Sequence, residues 1–356
     1  MLNQQIKDIT IHDKRIGTQS PCFIIAEAGV NHNGNLNTAL ELVRKAKEIG
    51  ADCVKFQTFK AESVITKNAP KAEYQLKVTN PEESQFQMLK NLELGFEDYV
   101  KIIDECKKWD IMFLSTPYNE EDSDFLNNLG VSAFKIASGQ LVELSFLEHV
   151  AHYGKPIILS TGMATLSEAY DAVQVIKNAG NDQIILLQCT TNYPSDNKDA
   201  NIRAMVTMGN ALGVLYGYSD HIEENYACYA AVSLGATVIE KHFTLDRELP
   251  GPDHSASLNV EQFETLIKGI RKTEEALGSP VKTPSEKERR NTIGMRRSIV
   301  LKKPLNKGEE FTMDNLTYKR PATGLEPRRI NEIIGKKAAM DIKSDIPLKE
   351  AMIIWE

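Results

Sequence analysis

The stretch CFIIAEAGVNHNG, Cys22 to Gly34, decides how the rest of the chain is read. Its first half is almost continuously apolar and β-branched. That is the texture of a strand covered on both faces, as in a parallel sheet. The second half turns polar, at Glu27 and again at Asn31-His32-Asn33-Gly34. The period then changes: Ala39, Leu42, Val43, Ala46 and Ile49 recur at helical spacing behind Thr38-x-x-Glu41, a capping-box pattern. Strand, polar end and helix make one βα unit.

Seven more runs share that texture, at Cys53–Phe59, Met112–Thr116, Ala133–Ala137, Pro156–Thr161, Ile184–Thr190, Val214–Ser219 and Val238–Thr244. The intervening stretches read as helices, from about Phe96 to Lys108, Glu121 to Leu129, Ser145 to His152, Asp199 to Leu212, Tyr226 to Leu234 and Glu261 to Leu277. A further one opens on the capping box Thr165-x-x-Glu168. Eight strands, each followed by a helix, predict an α/β protein built on a (β/α)8 TIM barrel. The first strand leads into no glycine-rich fingerprint, which argues against a doubly wound open sheet. The long connection from Lys60 to Leu94 is expected to be functional or to carry a short helix.

After Leu277 the segment GSPVKTPSEKERRN, rich in Pro, Ser and charge, reads as a linker. From about Met295 short strands and turns replace the βα rhythm. The expected organisation is a barrel over 1–280, a linker over 281–295 and a small, mostly β module over 296–356.

Composition agrees with two unequal domains. The 356 residues are 42% hydrophobic and 26% charged, which excludes collagenous, disordered and disulfide-scaffold chains. No apolar run reaches the ~18 residues of a membrane helix. The opening MLNQQIKDITIHDKR lacks the apolar core of a secretory leader, so a cytoplasmic protein is expected. Five widely spaced cysteines without a CxxC fit reduced thiols in that compartment. The net charge of −7 is uneven: residues 281–356 hold 17 Lys/Arg against 11 Asp/Glu. The acidic total speaks against a nucleic-acid arm and for a positive cover over an anionic substrate.

Barrel enzymes place their chemistry at the C-terminal strand ends. Here every end is polar: Glu27; Lys55 and Gln57; Ser115-Thr116; Lys135 and Ser138; Ser160-Thr161; Thr190-Thr191-Asn192-Tyr193; Ser219-Asp220-His221; Glu240-Lys241-His242. One Lys or Glu in a strand can be an ion pair inside the barrel, but a core filled for packing alone prefers Val, Ile and Leu. Lys55 and Lys135, with the hydroxyls of Thr116, Ser138 and Ser160, suit a phosphate or carboxylate. His221 and His242 end the seventh and eighth runs, close enough to share a metal ion, with Glu27, Glu240 and Asp253 available to support it. Two imidazoles with oxygen ligands suit Mn²⁺ or Mg²⁺, with Zn²⁺ an alternative.

Taken in order, the motifs FIIAEAGVNHNG, VKFQTFKAE, KAEYQ, STP, FKIASG, STGM, CTTNYP, GYSDH, EKHFTLD and GPDHSAS resemble the sialic acid synthases over essentially the whole chain. The segment SIVLKKPLNKGEEFTMDNLTYKRP is similar to that family's antifreeze-like SAF (β-clip) domain. The resemblance implies condensation of phosphoenolpyruvate with an N-acetylated amino sugar to a nine-carbon 2-keto acid. It implies a divalent metal on His221 and His242, Mn²⁺ first with Mg²⁺ or Co²⁺ as alternatives. It implies phosphoenolpyruvate on Lys55, Thr116, Lys135, Ser138 and Ser160. Glu27 and Asp253 would contact the reacting sugar and metal-bound water, and Gln57, Gln140 and Tyr193 would line the sugar pocket. It also implies a domain-swapped homodimer, in which Arg320 of one subunit holds the sugar's acyl group in the other.

Gln140 departs from the Glu usual in N-acetylneuraminate and legionaminate synthases, while Gly251-Pro252-Asp253-His254 resembles that branch more than the pseudaminate branch. The expected substrate is N-acetylmannosamine. The alternative is a 2,4-diacetamido-6-deoxy sugar leading to legionaminate. Two readings from other classes stand beside these: an aldolase forming a Schiff base on Lys55, Lys135 or Lys241, and a non-catalytic carbohydrate- or ice-binding protein suggested by the small module.

Overall fold

Side-chain alternation along the strands determines what the centre of the fold contains. The computed structural model describes residues 6–71, 75–76, 79–80 and 82–356, so Ala72, Glu73 and Tyr74 of the KAEYQ motif lie outside the described residues. The chain divides into two units, Met1–Gly278 and Ser279–Glu356.

The first unit opens with a hairpin, β1 (Ile9–Ile11) and β2 (Lys14–Ile16). Eight parallel strands follow: β3 (Phe23–Gly29), β4 (Cys53–Thr58), β5 (Met112–Pro117), β6 (Phe134–Ile136), β7 (Ile157–Ser160), β8 (Ile184–Cys189), β9 (Leu215–Asp220) and β10 (Val238–His242). Their order is β5-β4-β3-β10-β9-β8-β7-β6, and the terminal strands β5 and β6 lie against each other. The sheet therefore curls into the expected TIM barrel. Helices such as Leu36–Glu48, Phe96–Trp109 and Leu166–Asn178 return the chain between strands, and Val260–Leu277 follows the last one.

Alternate residues point inward and outward. Ile24, Ala26, Val54, Phe56, Ile157, Leu186 and Ile239 pack outward against the helices. Phe23, Ile25, Cys53, Leu114, Ile158, Ile185, Leu215 and Val238 point inward and join Ile9, Ile11 and Ile16 of the hairpin in a separate apolar cluster. The hairpin thus plugs the N-terminal end of the barrel. One or two pleats further along each strand, the same inward rows reach Glu27, Lys55, Thr116, Lys135, Ser160, Ser219, Glu240 and His242. The lumen is apolar at its floor and ionised at its mouth.

Two local features differ from expectation and one agrees with it. The first helix begins at Leu36, capped by the Asn35 side chain on the amides of Asn37 and Thr38, one turn before Thr38-x-x-Glu41. As expected, the Lys60–Leu94 connection carries short helices, at Ala61–Val64 and Gln85–Asn91, the second resting Met88 and Leu92 on Val30 and Phe59. The stretch read as a linker contains a helix, Glu286–Met295, opened by a capping box between Ser285 and Glu288.

The second unit pairs β11 (Ser298–Leu301) with β12 (Leu316–Lys319), and β13 (Lys337–Ala338) with β14 (Ile353–Ile354), antiparallel. Its own core gathers Ile299, Leu301, Phe311, Leu316, Ile333 and Leu348. Among the described residues no helix is long and apolar enough to cross a membrane. All five cysteines are free and buried.

Candidate active site

A cavity of about 450 Å³ opens at the C-terminal mouth of the barrel. Its wall includes Glu27, Lys55, Gln57, Thr116, Lys135, Ser138, Gln140, Ser160, Tyr193, His221, Glu240, His242 and Asp253. The inward-facing strand-end side chains therefore meet in one place because β-alternation turns them into the lumen, and Ser138, Gln140, Tyr193 and Asp253 join them from the segments that follow the strands. Arg320 belongs to the second unit, where its exposed guanidinium donates from Nε to the Met295 carbonyl at 3.0 Å.

The floor of this cavity is a network of buried charge. Lys55 Nζ lies 2.8 Å from Glu27 Oε2 and 3.8 Å from Glu240 Oε1, and donates to Thr116 Oγ1 at 3.2 Å. Lys135 Nζ donates to Ser160 Oγ at 2.8 Å and lies 3.6 Å from the same Glu240 oxygen. Glu240 accepts a bond from Ser219 at 3.1 Å. Its burial opposes ionisation, yet Lys135 and Lys55 hold the carboxyl below the ordinary range. Two ammonium groups thus share one firmly ionised carboxylate, and burial holds Lys135 below the usual lysine range. An incoming phosphate or carboxylate would meet donors already gathered and desolvated.

Glu27 sits at the other edge of the network. Burial pushes its carboxyl up to about 7, with the Lys55 ammonium opposing the shift and Glu240 adding to it. Gln57 donates to Glu27 at 3.3 Å and accepts from Tyr118 at 3.0 Å. Gly29 has φ +52°, and a Cβ there would stand 3.2 Å from Glu27, 3.3 Å from Gln57 and 3.5 Å from Asp253. Those three groups converge over a spot that only glycine keeps clear. Gly162 has a similar role, since its Cβ would fall 2.8 Å from Ser138 Oγ, which accepts the Gly162 amide at 2.9 Å.

The histidines form the third part. The His221 and His242 ring centres are 5.4 Å apart, and the Tyr193 ring centre lies 4.0 Å from that of His221, the planes tilted by 33°. His221 Nδ1 meets the Thr190 carbonyl at 2.7 Å. A carbonyl only accepts, so Nδ1 carries the proton and Nε2 is the nitrogen left available to a ligand. Burial opposes charging of His221, but Cys189 and the Thr190 carbonyl outweigh it and hold the imidazole above its ordinary range. Burial and the neighbouring His221 hold His242 well below the imidazole range, hence neutral. Its buried Nδ1 has no hydrogen-bond partner and lies 3.9 Å from Asp253 Oδ2. An orphaned neutral nitrogen beside an oriented imidazole and a carboxylate fits a divalent cation. Among the described residues no three His, Cys, Asp or Glu side chains are grouped to hold an ion by themselves. The pair would leave other positions to water and substrate.

Several lining residues were not singled out in the sequence: Tyr118, Glu143 and the apolar Met88, Leu89 and Leu92. Tyr118 adjoins the strand-end motif Ser115-Thr116-Pro117, the signal that would have found it. The apolar three had none. Lys241 is absent from this wall. It faces outward from β10, where its ammonium is bonded to Asp220 and to the carbonyls of Ile222 and Glu224.

Residues 42–282 match the NeuB family and residues 296–354 the SAF domain. The chain is 47% identical over 330 residues to N,N'-diacetyllegionaminic acid synthase of Campylobacter jejuni, covering 92% of this chain and 99% of that protein. It is 43% identical over 344 residues to N,N'-diacetyllegionaminic acid synthase of Legionella pneumophila, covering 96% and 95%. The crystal structure of N-acetylneuraminic acid (sialic acid) synthetase from Leptospira borgpetersenii with citrate has a TM-score of 0.72 and 32% identity, covering 80% of this chain and 95% of that one.

Proposed function

The chain belongs to the NeuB family, and from that premise we propose that it is a phosphoenolpyruvate-dependent nonulosonate synthase making N,N'-diacetyllegionaminate from 2,4-diacetamido-2,4,6-trideoxymannose. The carrying observation is the cavity itself, where two buried lysines, a buried histidine pair and a carboxylate near neutrality face one space. For the sugar, the two legionaminic acid synthases at 47% and 43% identity favour the diacetamido substrate over N-acetylmannosamine. The apolar side of the wall, Met88, Leu92 and Met163, suits the C6 methyl of a deoxy sugar.

In this reading Lys55, Lys135, Thr116, Ser138 and Ser160 hold the phosphate and carboxylate of phosphoenolpyruvate. Its C3 attacks C1 of the open-chain aldehyde, forming the new C–C bond and leaving positive character at C2. Water adds at C2 and gives up a proton. The C2–O bond then breaks, releasing inorganic phosphate and leaving the 2-keto acid. The lysines and hydroxyls stabilise the charge that phosphate gains on departure. Glu27, poised near 7, takes the proton of the attacking water. His221 and His242 would hold a divalent ion, Mn²⁺ by family resemblance, and its chemistry there is to polarise the aldehyde oxygen.

The test is a panel of acetamido sugars with phosphoenolpyruvate and Mn²⁺, read by phosphate release and product mass. The expected result is fastest release with the diacetamido sugar and a product of matching mass. Preference for N-acetylmannosamine would overturn the substrate assignment. Borohydride trapping of a pyruvyl adduct on Lys55 or Lys135 would overturn the reaction class.

A further inference from the structure

The residues immediately before the two histidines are Asp220 and Lys241. They are directly paired in the parallel register of β9 and β10. Because side chains alternate, His221 and His242 turn into the cavity while Asp220 and Lys241 turn behind it, toward the helices. Both are about 1% exposed, and their charged ends meet there.

This ion pair has all its hydrogen-bonding capacity engaged. Besides Asp220, Lys241 Nζ donates to the Ile222 carbonyl and, at 3.0 Å, to the Glu224 carbonyl. Asp220 Oδ1 accepts from Tyr218 Oη at 2.9 Å and from the Ile222 amide at 3.0 Å, and Oδ2 also accepts from Cys228 Sγ at 3.1 Å. The residues on either side of His221 are therefore tied to the same lysine, Asp220 by its side chain and Ile222 by its backbone. That lysine in turn directly precedes His242. A buried pair that only stabilised the fold would be a poor choice, since an apolar pair of similar volume commonly does as well.

We propose that Asp220 and Lys241 are positioning residues that fix the spacing and aim of the His221 and His242 rings toward a divalent ion. The inference rests on the two-histidine reading of the preceding section. It gives the pair a task that an apolar replacement could not perform: backbone carbonyls of the loop after β9 are drawn to the strand bearing His242, so the two imidazoles cannot drift independently.

The experiment titrates the metal-free full-length protein with Co²⁺ alone, following its visible absorption and the heat of binding. Wild type is expected to bind Co²⁺, and His221→Ala to lose that binding. Lys241→Met and Asp220→Asn are each expected to raise the Co²⁺ dissociation constant about 10- to 100-fold, the scale seen when groups supporting metal ligands are removed, and to alter the band shape. Tyr218→Phe removes one bond to Asp220, keeps both charges and is expected to fold. Its dissociation constant should rise about threefold, and it decides the matter if the charge variants do not fold. Equal Co²⁺ binding by wild type and His221→Ala would overturn the two-histidine reading. Loss in His221→Ala with unchanged affinity and spectrum in a folded Lys241→Met, Asp220→Asn or Tyr218→Phe protein would overturn the positioning role alone.

Discussion

The two ends of the barrel are made from the same strands, yet they are built by opposite rules. At the floor, inward residues such as Ile25, Leu114, Ile158 and Leu215 close on Ile9, Ile11 and Ile16 of the hairpin without a charge among them. At the mouth the same rows present two lysines, two carboxylates and two histidines, with Glu240 Oε2, His242 Nδ1 and both Gln140 amide atoms buried and lacking a hydrogen-bond partner. Unpartnered polar atoms cost stability where they are buried. The floor contributes the apolar burial that offsets them. Stability and chemistry are thus segregated along one axis, and substitutions at the two ends should fail in different ways.

The largest effect is expected at the histidines. His221→Ala should lower kcat/KM by ~10³-fold or more, the several kcal/mol a Lewis acid contributes to a developing charge, while leaving the urea midpoint near wild type. Unchanged turnover would break the division at its centre. The reverse experiment is Ile16→Ala, at a side chain that is 0% exposed. Its expected cost is about 2–5 kcal/mol of unfolding free energy, read from a urea titration. Activity per folded molecule should stay within about twofold, since kcat answers to the mouth. A large change in kcat there would show that the floor is coupled to the chemistry.

Glu27 tests the electrostatics of the mouth. Its carboxyl is pushed up to about 7, so it is protonated on the acid side of neutrality and becomes a base as pH rises through about 7. The wild-type rate should climb across that window. Glu27→Gln should lose about 10²-fold in kcat and show no such climb. A variant that retains the rise would assign the base to another group.

How much of this was legible beforehand depended on burial. The eight runs could be read because strands covered on both faces are continuously apolar, and the polar ends because alternation is strict. Short elements were not readable: β1 and β2 have three residues each, too few to show a period. The helix Glu286–Met295 buries no residue, so it shows no apolar stripe, and only Ser285-x-x-Glu288 marked its start. Within the site, ionisable residues announced themselves at strand ends. Met88 and Leu92 did not, because an apolar side chain in a connection looks the same whether it packs on a neighbour or lines a pocket. Lys241 was misleading in the other direction. It stands beside His242 in sequence, but alternation turns it out of the cavity, where Asp220 and two carbonyls use all three of its protons.

The smallest expected effect separates the two ends most finely. Gln140 is 3% exposed and lines the cavity, and neither of its amide atoms has a partner. A primary amide presents one acceptor and two donors, so it complements an acetamido group, which offers a carbonyl and an N–H in return. Before the sugar arrives that side chain is a cost, of about 1–3 kcal/mol for a buried unsatisfied polar group. Gln140→Leu should therefore raise unfolding stability by up to about 1 kcal/mol, part of that cost being recovered when the polar atoms are removed. The same change should raise the KM for the sugar about tenfold, because a hydrogen-bonded amide pair is lost, and leave the KM for phosphoenolpyruvate unchanged. Destabilisation by Gln140→Leu would mean that the amide is already satisfied by the fold, and position 140 would then belong with the floor.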